Sequence, residues 1–307
     1  LSESFPEPLK RKSFLTIKPL EAADIPLVTE WARQEGFAPG NGDVGIYQHT
    51  DRQGLWVGWL GEKPIGCIAG VRYNSEYGFL GLFLVIPEER GHGYGVQLWQ
   101  HALEHLADLP CIGLEAALNR IDDYKKWDFS VSSSTTRWQW FGDGAGASKT
   151  PYNYDEQHGE LKLLSGQSIP PSSVQAYDAM REPSPRPHFI ADWIKHPAGT
   201  VMALVDSNGC CHGFGRIRPC LLTKGEGWRI GPLLANSQDL AEILLNSLIR
   251  RHPGAVLLDA PGSNPLADQL FERLGFKALS TTVRMYRGQQ PPISMKDVYG
   301  LACLELG

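Results

Sequence analysis

Hydrophobic runs and one helical stripe set the plan of this chain. Leu82-Phe-Leu-Val-Ile86 is an unbroken apolar run that stops at Pro87, the pattern of a buried strand. A polar, glycine-rich turn follows, Arg90-Gly91-His92-Gly93-Tyr94-Gly95. Behind it Val96, Trp99, Leu103 and Leu106 recur at helical spacing, while Gln97, Gln100, His101 and Glu104 fall off the stripe. Asp108-Leu109-Pro110 ends that helix, because a proline disfavours helical geometry in the residue before it. Cys111 to Ala116 then reads as the next strand. Strand, loop, helix and strand make a βαβ unit, whose right-handed crossover places the loop at the carboxyl end of the sheet.

The pattern recurs. Shifted by 147 positions, Gly66 falls on Gly213, Tyr124 on Phe271 and Phe129 on Phe276. Both copies carry a strand-turn-strand, with hairpin signals at Gly61-Glu-Lys-Pro64 and Asp206-Ser-Asn-Gly209. Both end in a helix and an aromatic-containing return strand, at 135–141 and 282–286. A Gly-rich stretch separates them. The expected organisation is a tail at 1–13, a domain at 14–141, a linker at 142–159, a second domain at 160–288 and a strand segment at 289–307. The fold class is α/β, with a mixed, mostly antiparallel sheet flanked by helices in each copy.

The copies differ where chemistry is expected. Alternating glycines allow φ > 0 and leave no side chain in the turn, so backbone N–H groups can converge on one concavity. The helix start adds its unpaired donors and the positive end of its dipole. That is a cradle for a pyrophosphate. The order Arg90-x-x-Gly93-x-Gly95 is neither G-x-G-x-x-G nor a P-loop, since no Lys-Ser or Lys-Thr follows. At the same place the second copy has Ser237-Gln-Asp-Leu-Ala-Glu242, without a glycine. Cofactor binding is therefore expected in the first copy and not in the second.

At 307 residues the chain accommodates two domains of ordinary size, and 42% apolar content allows both a core. A net charge of −5 argues against nucleic acid as a partner. Cys67, Cys111, Cys210, Cys211, Cys220 and Cys303 show no metal-ligand or C-x-x-C spacing, so no metal is expected and a reducing setting fits. No run of about eighteen apolar residues and no signal peptide is present, which gives a cytoplasmic expectation without a membrane partner.

The loop, its strand and its helix resemble the coenzyme A site of the GNAT acyltransferases, and the duplication resembles the bacterial tandem type in which one domain keeps that site. The resemblance spans roughly residues 14–288. It implies two tandem GNAT folds and acetyl-CoA as co-substrate. It also implies that Leu84, Val85 and Ile86 align the acyl-pantetheine arm and that Arg90, Gly91, His92, Gly93, Tyr94 and Gly95 hold the pyrophosphate. The family's Y-x-x-x-G-F reads here Tyr124-Lys-Lys-Trp-Asp128-Phe129, with Asp in place of Gly. The family's Asn seven residues before the Tyr, which contacts the cofactor, is Ala117 here, with Asn119 two positions on as the candidate contact, whereas Asn264 stands at family spacing before Phe271.

Acyl transfer from a thioester to an amine needs a neutral amine, a stabilised oxyanion and a protonated leaving thiolate. Tyr124 is the candidate acid, since a phenol of pKa about 10 can protonate a thiolate whose acid is near 8.5. Glu76, before the strand leading to the loop, is the candidate base; Glu115, Asp122 and Asp123 read as surface acids. Glu35 to Asp43 reads as the loop covering the acceptor, Arg186 as a candidate for a substrate carboxylate, and Trp31 and Trp127 as pocket-lining. The expected activity is N-acetylation of a small-molecule amine or amino-acid-like acceptor. A non-catalytic acyl-CoA-binding regulatory module and a protein-lysine acetyltransferase are the alternatives. Monomer and homodimer are both left open.

Overall fold

The computed structural model describes residues 14–145, 161–183 and 185–307. The predicted tail at 1–13 and the linker from 146 onward lie outside the described residues. The first half runs β1 (Leu15–Pro19), α1 (Ile25–Gln34), α2 (Asp43–Thr50), β2 (Leu55–Leu60), β3 (Lys63–Arg72), β4 (Tyr77–Val85), α3 (Tyr94–His105), β5 (Cys111–Ala117), α4 (Ile121–Lys125) and β6 (Phe129–Gly142). The second half repeats the order: β7 (Lys162–Ser165), α5 (Pro171–Ala179), α6 (Pro187–Lys195), β8 (Thr200–Val205), β9 (Cys211–Leu221), β10 (Glu226–Ala235), α7 (Gln238–Ile249), β11 (Gly254–Pro261), α8 (Pro265–Arg273) and β12 (Lys277–Gly288). A short β13 (Val298–Gly300) follows.

The halves share one sheet, ordered β1-β2-β3-β4-β5-β12-β6-β11-β10-β9-β8-β7. Each half's last strand is inserted into the other. β12 pairs antiparallel with β5 from Thr282↔Ala117 to Gly288↔Cys111, and β6 pairs with β11 from Thr135↔Pro261 to Gly142↔Gly254. Neither half completes its sheet alone. Packed against one face, α3 and α4 cover Leu98, Trp99, Leu114 and Met285, while α7 and α8 cover Leu244, Leu258 and Phe271. The other face carries α1, α2, α5 and α6 over a core that crosses both halves, from Val28 and Tyr47 to Phe189 and Trp193.

The sheet opens at two equivalent places, one in each half. β4 and β5 pair in parallel only from Tyr77↔Cys111 to Leu80↔Leu114. Beyond that point the β3–β4 register shifts, and Leu82 takes φ +46°, a bulge that bends the strand away. In the second half β10 and β11 pair only from Trp228↔Val256 to Ile230↔Leu258, and the β9–β10 register shifts after Ile230. That second opening is filled by the chain itself. β13 pairs with β10 at Leu233↔Gly300 and Leu234↔Val298, and Leu301 N–H donates to the Asp259 carbonyl of β11 at 2.8 Å. Only Val298–Gly300 of the predicted final strand is extended in the sheet. The rest, to Gly307, threads between the halves, buried except at Leu304.

Candidate active site

The turn before α3 has the geometry that its glycines predict. Gly91 and Gly93 sit at φ +81° and +83°, and a Cβ on either would meet only open space. Gly93 is the N-cap of α3 and supplies no side-chain cap, and the first turn contains no acid. Its leading amides therefore stay available to an anion. At the matching start of α7, Ser237 Oγ accepts from Leu240 N–H and Asp239 adds a negative charge. That helix satisfies itself and repels an anion.

The loop opens onto a cavity of about 870 Å³ that runs through the β4–β5 opening. Leu84, Val85, Arg90, Gly91, Gly93, Gly95, Asn119 and Tyr124 line it; Ile86, His92 and Tyr94 do not, although they belong to the same loop and strand end. Trp127 borders the cavity as predicted, with Trp99 beside it, whereas Trp31 is a core residue. Arg90 is stitched down, its Nε donating to the Val85 carbonyl at 2.7 Å and its Nη2 to Glu35 at 2.5 Å.

Tyr124 projects from α4 against Trp99 (centroids 5.1 Å apart) and Phe129 (6.5 Å). Among the described residues its hydroxyl has no hydrogen-bond partner. Burial raises its pKa above the ordinary phenol value, so the group stays protonated. Asp128, at the family's glycine position, takes the left-handed φ of +65°, and its repeat partner Gly275 has +83°. The turn is thus kept, at the expense of an aspartate in a glycine conformation.

Several expectations change. Glu76 is exposed in the turn before β4 and does not reach the cavity, whose β4 lining begins at Leu80. At about 3.4 Å per residue the separation along the strand is roughly 14 Å, so the candidate base is withdrawn. Glu115 is no surface acid. It lies on the cavity wall and is held by three close donors, accepting from Thr135 Oγ1 (3.0 Å), Thr282 Oγ1 (3.0 Å) and Arg284 Nε (2.7 Å). Arg186 cannot bind a substrate carboxylate, since it is buried and bonded to Asp178, Glu182 and the Gly307 carbonyl.

The Glu35–Asp43 segment stays a loop only to Gly42, and α2 opens at Asp43. Three arginines fasten it, one from β6 of the first half and two from β9 and β10 of the second. Arg137 Nη1 donates to the Gly36 and Phe37 carbonyls, Arg229 Nη1 to those of Phe37 and Ala38, and Arg218 grips Asp43 at 2.7 Å through two nitrogens. Asp259 joins Arg137 and Arg229. Burial alone would raise the Asp259 carboxyl, but the two guanidiniums outweigh it and hold the group at about 2. Sequence reasoning missed the second half's share of the cavity wall: Ser280 and Thr282 from β12, then Leu304 and Glu305. The one signal for the last was a lone acid in the apolar run Val298 to Leu306.

Comparison with known proteins agrees with this architecture. The sequence model of the acetyltransferase (GNAT) family matches residues 25–129, and that of an acetyltransferase (GNAT) domain matches 174–300. The chain belongs to the GNAT acetyltransferases, as a tandem protein, and is an acyltransferase. It is 26% identical to holothin acyltransferase of Pseudoalteromonas sp. (strain SANK 73390) over 294 residues, 95% of this chain and 94% of that protein. In fold it is similar to a Pyrococcus horikoshii protein provisionally assigned as an acetyltransferase (TM-score 0.76, 19% identity, 100% of both chains). A tandem GNAT protein from the clavulanic acid biosynthesis pathway is also similar (TM-score 0.61, 15% identity, 89% of this chain and 98% of that one). Among the described residues no helix is long and apolar enough to cross a membrane.

Proposed function

We propose that this acyltransferase is an acetyl-CoA-dependent N-acetyltransferase acting on the primary amine of a small molecule, with one cofactor site per chain. The observation that carries the reading is the contrast between the two helix starts. The first is uncapped behind left-handed glycines, and the second is capped by its own serine. The residues present fit the coenzyme: the loop amides from Gly91 to Gly95 for its pyrophosphate and the β4 end, Leu84 and Val85, for its acyl-pantetheine arm, with Asn119 at the same cavity. When bound, acetyl-CoA supplies an activated acyl group as a thioester. Tyr124, protonated and beside that arm's cleft, holds the proton that the leaving sulfur needs. Backbone donors at the opened strand are suited to an oxyanion, a role commonly worth about 3–4 kcal/mol.

A small acceptor is favoured because the covering loop is fastened by three buried arginines, Arg137, Arg218 and Arg229, and both halves wall the cavity. A protein lysine would need that loop to lift. The test is turnover: thiol release from acetyl-CoA across a panel of small amines and a lysine peptide, with calorimetric counting of coenzyme sites. Two equivalent sites per chain, or release only with the peptide, would refute the reading.

A further inference from the structure

Among the described residues the C-terminal segment, from 289 on, has no counterpart in the repeat. It enters the opening between β10 and β11, the counterpart of the β4–β5 cleft to which the acyl-pantetheine arm is assigned. Asn264, at the spacing where the family resemblance puts a cofactor contact, donates its Nδ2 to the Val298 carbonyl at 3.0 Å. The segment then crosses both halves at glycines, each just beyond the last parallel pair of its opening. A Cβ on Gly231 would overlap the carbonyls of Leu301 and Ala302, and one on Gly81 would overlap the carbonyl of Glu305. Leu304 and Glu305 thus reach the cavity beside Gly81 and Leu82.

Glu305 differs from the other buried carboxylates. Asp43, Asp178, Asp259, Glu115 and Glu182 each hold a partner at 3.0 Å or less. Among the described residues Glu305 has only Tyr47 Oη at 3.3 Å and the two Arg229 Nη atoms at 3.4 Å each. Charge-assisted bonds normally close to about 2.7–2.9 Å, so this carboxylate, 6% exposed, keeps capacity for another donor. The ionisable groups around it are Tyr47 from α2, Arg229 from β10 and Cys303 of its own segment. Asp259 and Arg137 stand behind Arg229, and Asp43 behind Tyr47. Between Tyr77 and Val85, β4 itself offers no acid.

We propose that the second half's cleft holds the chain's own C-terminal segment where a cofactor arm would lie, and that this segment delivers Glu305 as the group that receives the acceptor's amino nitrogen and its proton. This rests on the amine-acceptor reading of the site. One proton of the acceptor's ammonium passes to a Glu305 oxygen. The freed lone pair forms the C–N bond at the thioester carbonyl carbon, the C–S bond breaks, and the sulfur takes the Tyr124 proton. A second proton leaves the nitrogen and returns to the Tyr124 oxygen through solvent. Glu305 gives its own to bulk water, so each turnover releases one proton.

The test uses the full chain, acetyl-CoA and two acceptors: an alkylamine, charged at pH 7, and an aromatic amine, already neutral there. Glu305→Gln should lower kcat/KM for the alkylamine about 10²–10⁴-fold at pH 7. The deficit should shrink as pH rises toward the amine's own pKa, and should stay within about tenfold for the aromatic amine. Equal losses with both amines at every pH would mark a structural residue and overturn the proposal, as would an unchanged alkylamine profile. If the amide variant does not fold, Glu305→Asp, which keeps the charge facing Arg229, carries the test. Lower alkylamine turnover with a smaller aromatic-amine loss is expected, and equal losses overturn it. A wild-type protein that binds acetyl-CoA yet turns over neither amine would sink the amine reading itself, and Glu305's role with it.

Discussion

Gly95→Val separates the cofactor site from the fold more cleanly than any other substitution in the loop. Gly95 lies in the first turn of α3, and a Cβ there would stand 3.5 Å from Phe83 Cζ and 3.6 Å from Val85 Cγ2, ordinary contacts. The folded protein therefore accepts the side chain. Because Gly95 also lines the cavity, the branched methyls stand where an anion must approach the helix amides. Each backbone bond to a charged group is worth about 1.5–3 kcal/mol. Losing two costs about 3–6 kcal/mol, or roughly 10²–10⁴ in affinity. Gly93→Val confounds the two effects, since φ +83° costs an L-residue about 1–2 kcal/mol before any ligand is present. Ser237→Ala is the control: loss of the α7 cap should cost about 1 kcal/mol of stability and leave coenzyme binding untouched. Calorimetry with acetyl-CoA, beside thermal melting, reads both quantities. Binding by Gly95→Val within threefold of the parent would refute the helix-start site.

Tyr124→Phe should lower kcat by about 10²–10⁴ with acetyl-CoA affinity retained, and a thioester of a more acidic thiol should partly restore it; wild-type turnover with chemistry rate-limiting would remove the phenol from the mechanism. Because burial raises the Tyr124 pKa, the alkaline fall of kcat belonging to this group should lie above pH 10, and a fall near neutrality would contradict its assignment. Asp259, held at about 2 against an ordinary 3.8, contributes about 2 kcal/mol of stability above pH 4 that is lost as pH falls toward 2. Asp259→Asn should flatten that acid limb in denaturant titrations, while lowering neutral-pH stability by about 3–5 kcal/mol, because among the described residues Arg137 is left without a carboxylate partner and Arg229 keeps only Glu305; an unaltered acid slope would exclude the pairing as its source. Asp128→Gly should stabilise by about 1 kcal/mol, a melting shift of about 2 °C, because the position already has a left-handed φ; a lowered melting point would show that the aspartate side chain matters more than its backbone.

The geometry of the glycine loop was legible because every part of it is local. An apolar run, three alternating glycines and a helical stripe lie within twenty-five residues, and each dictates its own geometry. The repeat was legible for the same reason, and Gly66 and Gly213 do occupy the same place: a Cβ on either would crowd the carbonyl of the adjoining strand, Leu84 or Leu234. The exchange of β6 and β12 was not legible. Neither strand carries a pattern that names its neighbour, and each pairs antiparallel with a strand of the other half, β6 with β11 and β12 with β5, so periodicity cannot say whose partner each becomes. Glu76 was misplaced by a related blindness. Sequence located the strand but not the point along it, Leu80, at which the sheet opens.

The exchange also changes what a second half without a coenzyme loop is for. A strand that merely completed a sheet could carry any polar residue on its solvent face. β12 instead sets Ser280 and Thr282 into the wall of the first half's cavity, with Thr282 bonded to Glu115 across the β5–β12 ladder. The arginines that fasten the covering loop come from β6, which pairs with β11, and from β9 and β10. Cutting the chain in the linker region would therefore not liberate an active first domain, even though the glycine loop before α3 lies wholly within it. Residues 1–141 expressed alone would leave β5 and β6 without β12 between them, and the loop over the acceptor without Arg218 and Arg229, two of its three arginine anchors. On the proposed reading the second half does not bind coenzyme, since its helix start is capped by Ser237, and what it contributes is wall to the first half's cavity through Ser280, Thr282, Leu304 and Glu305.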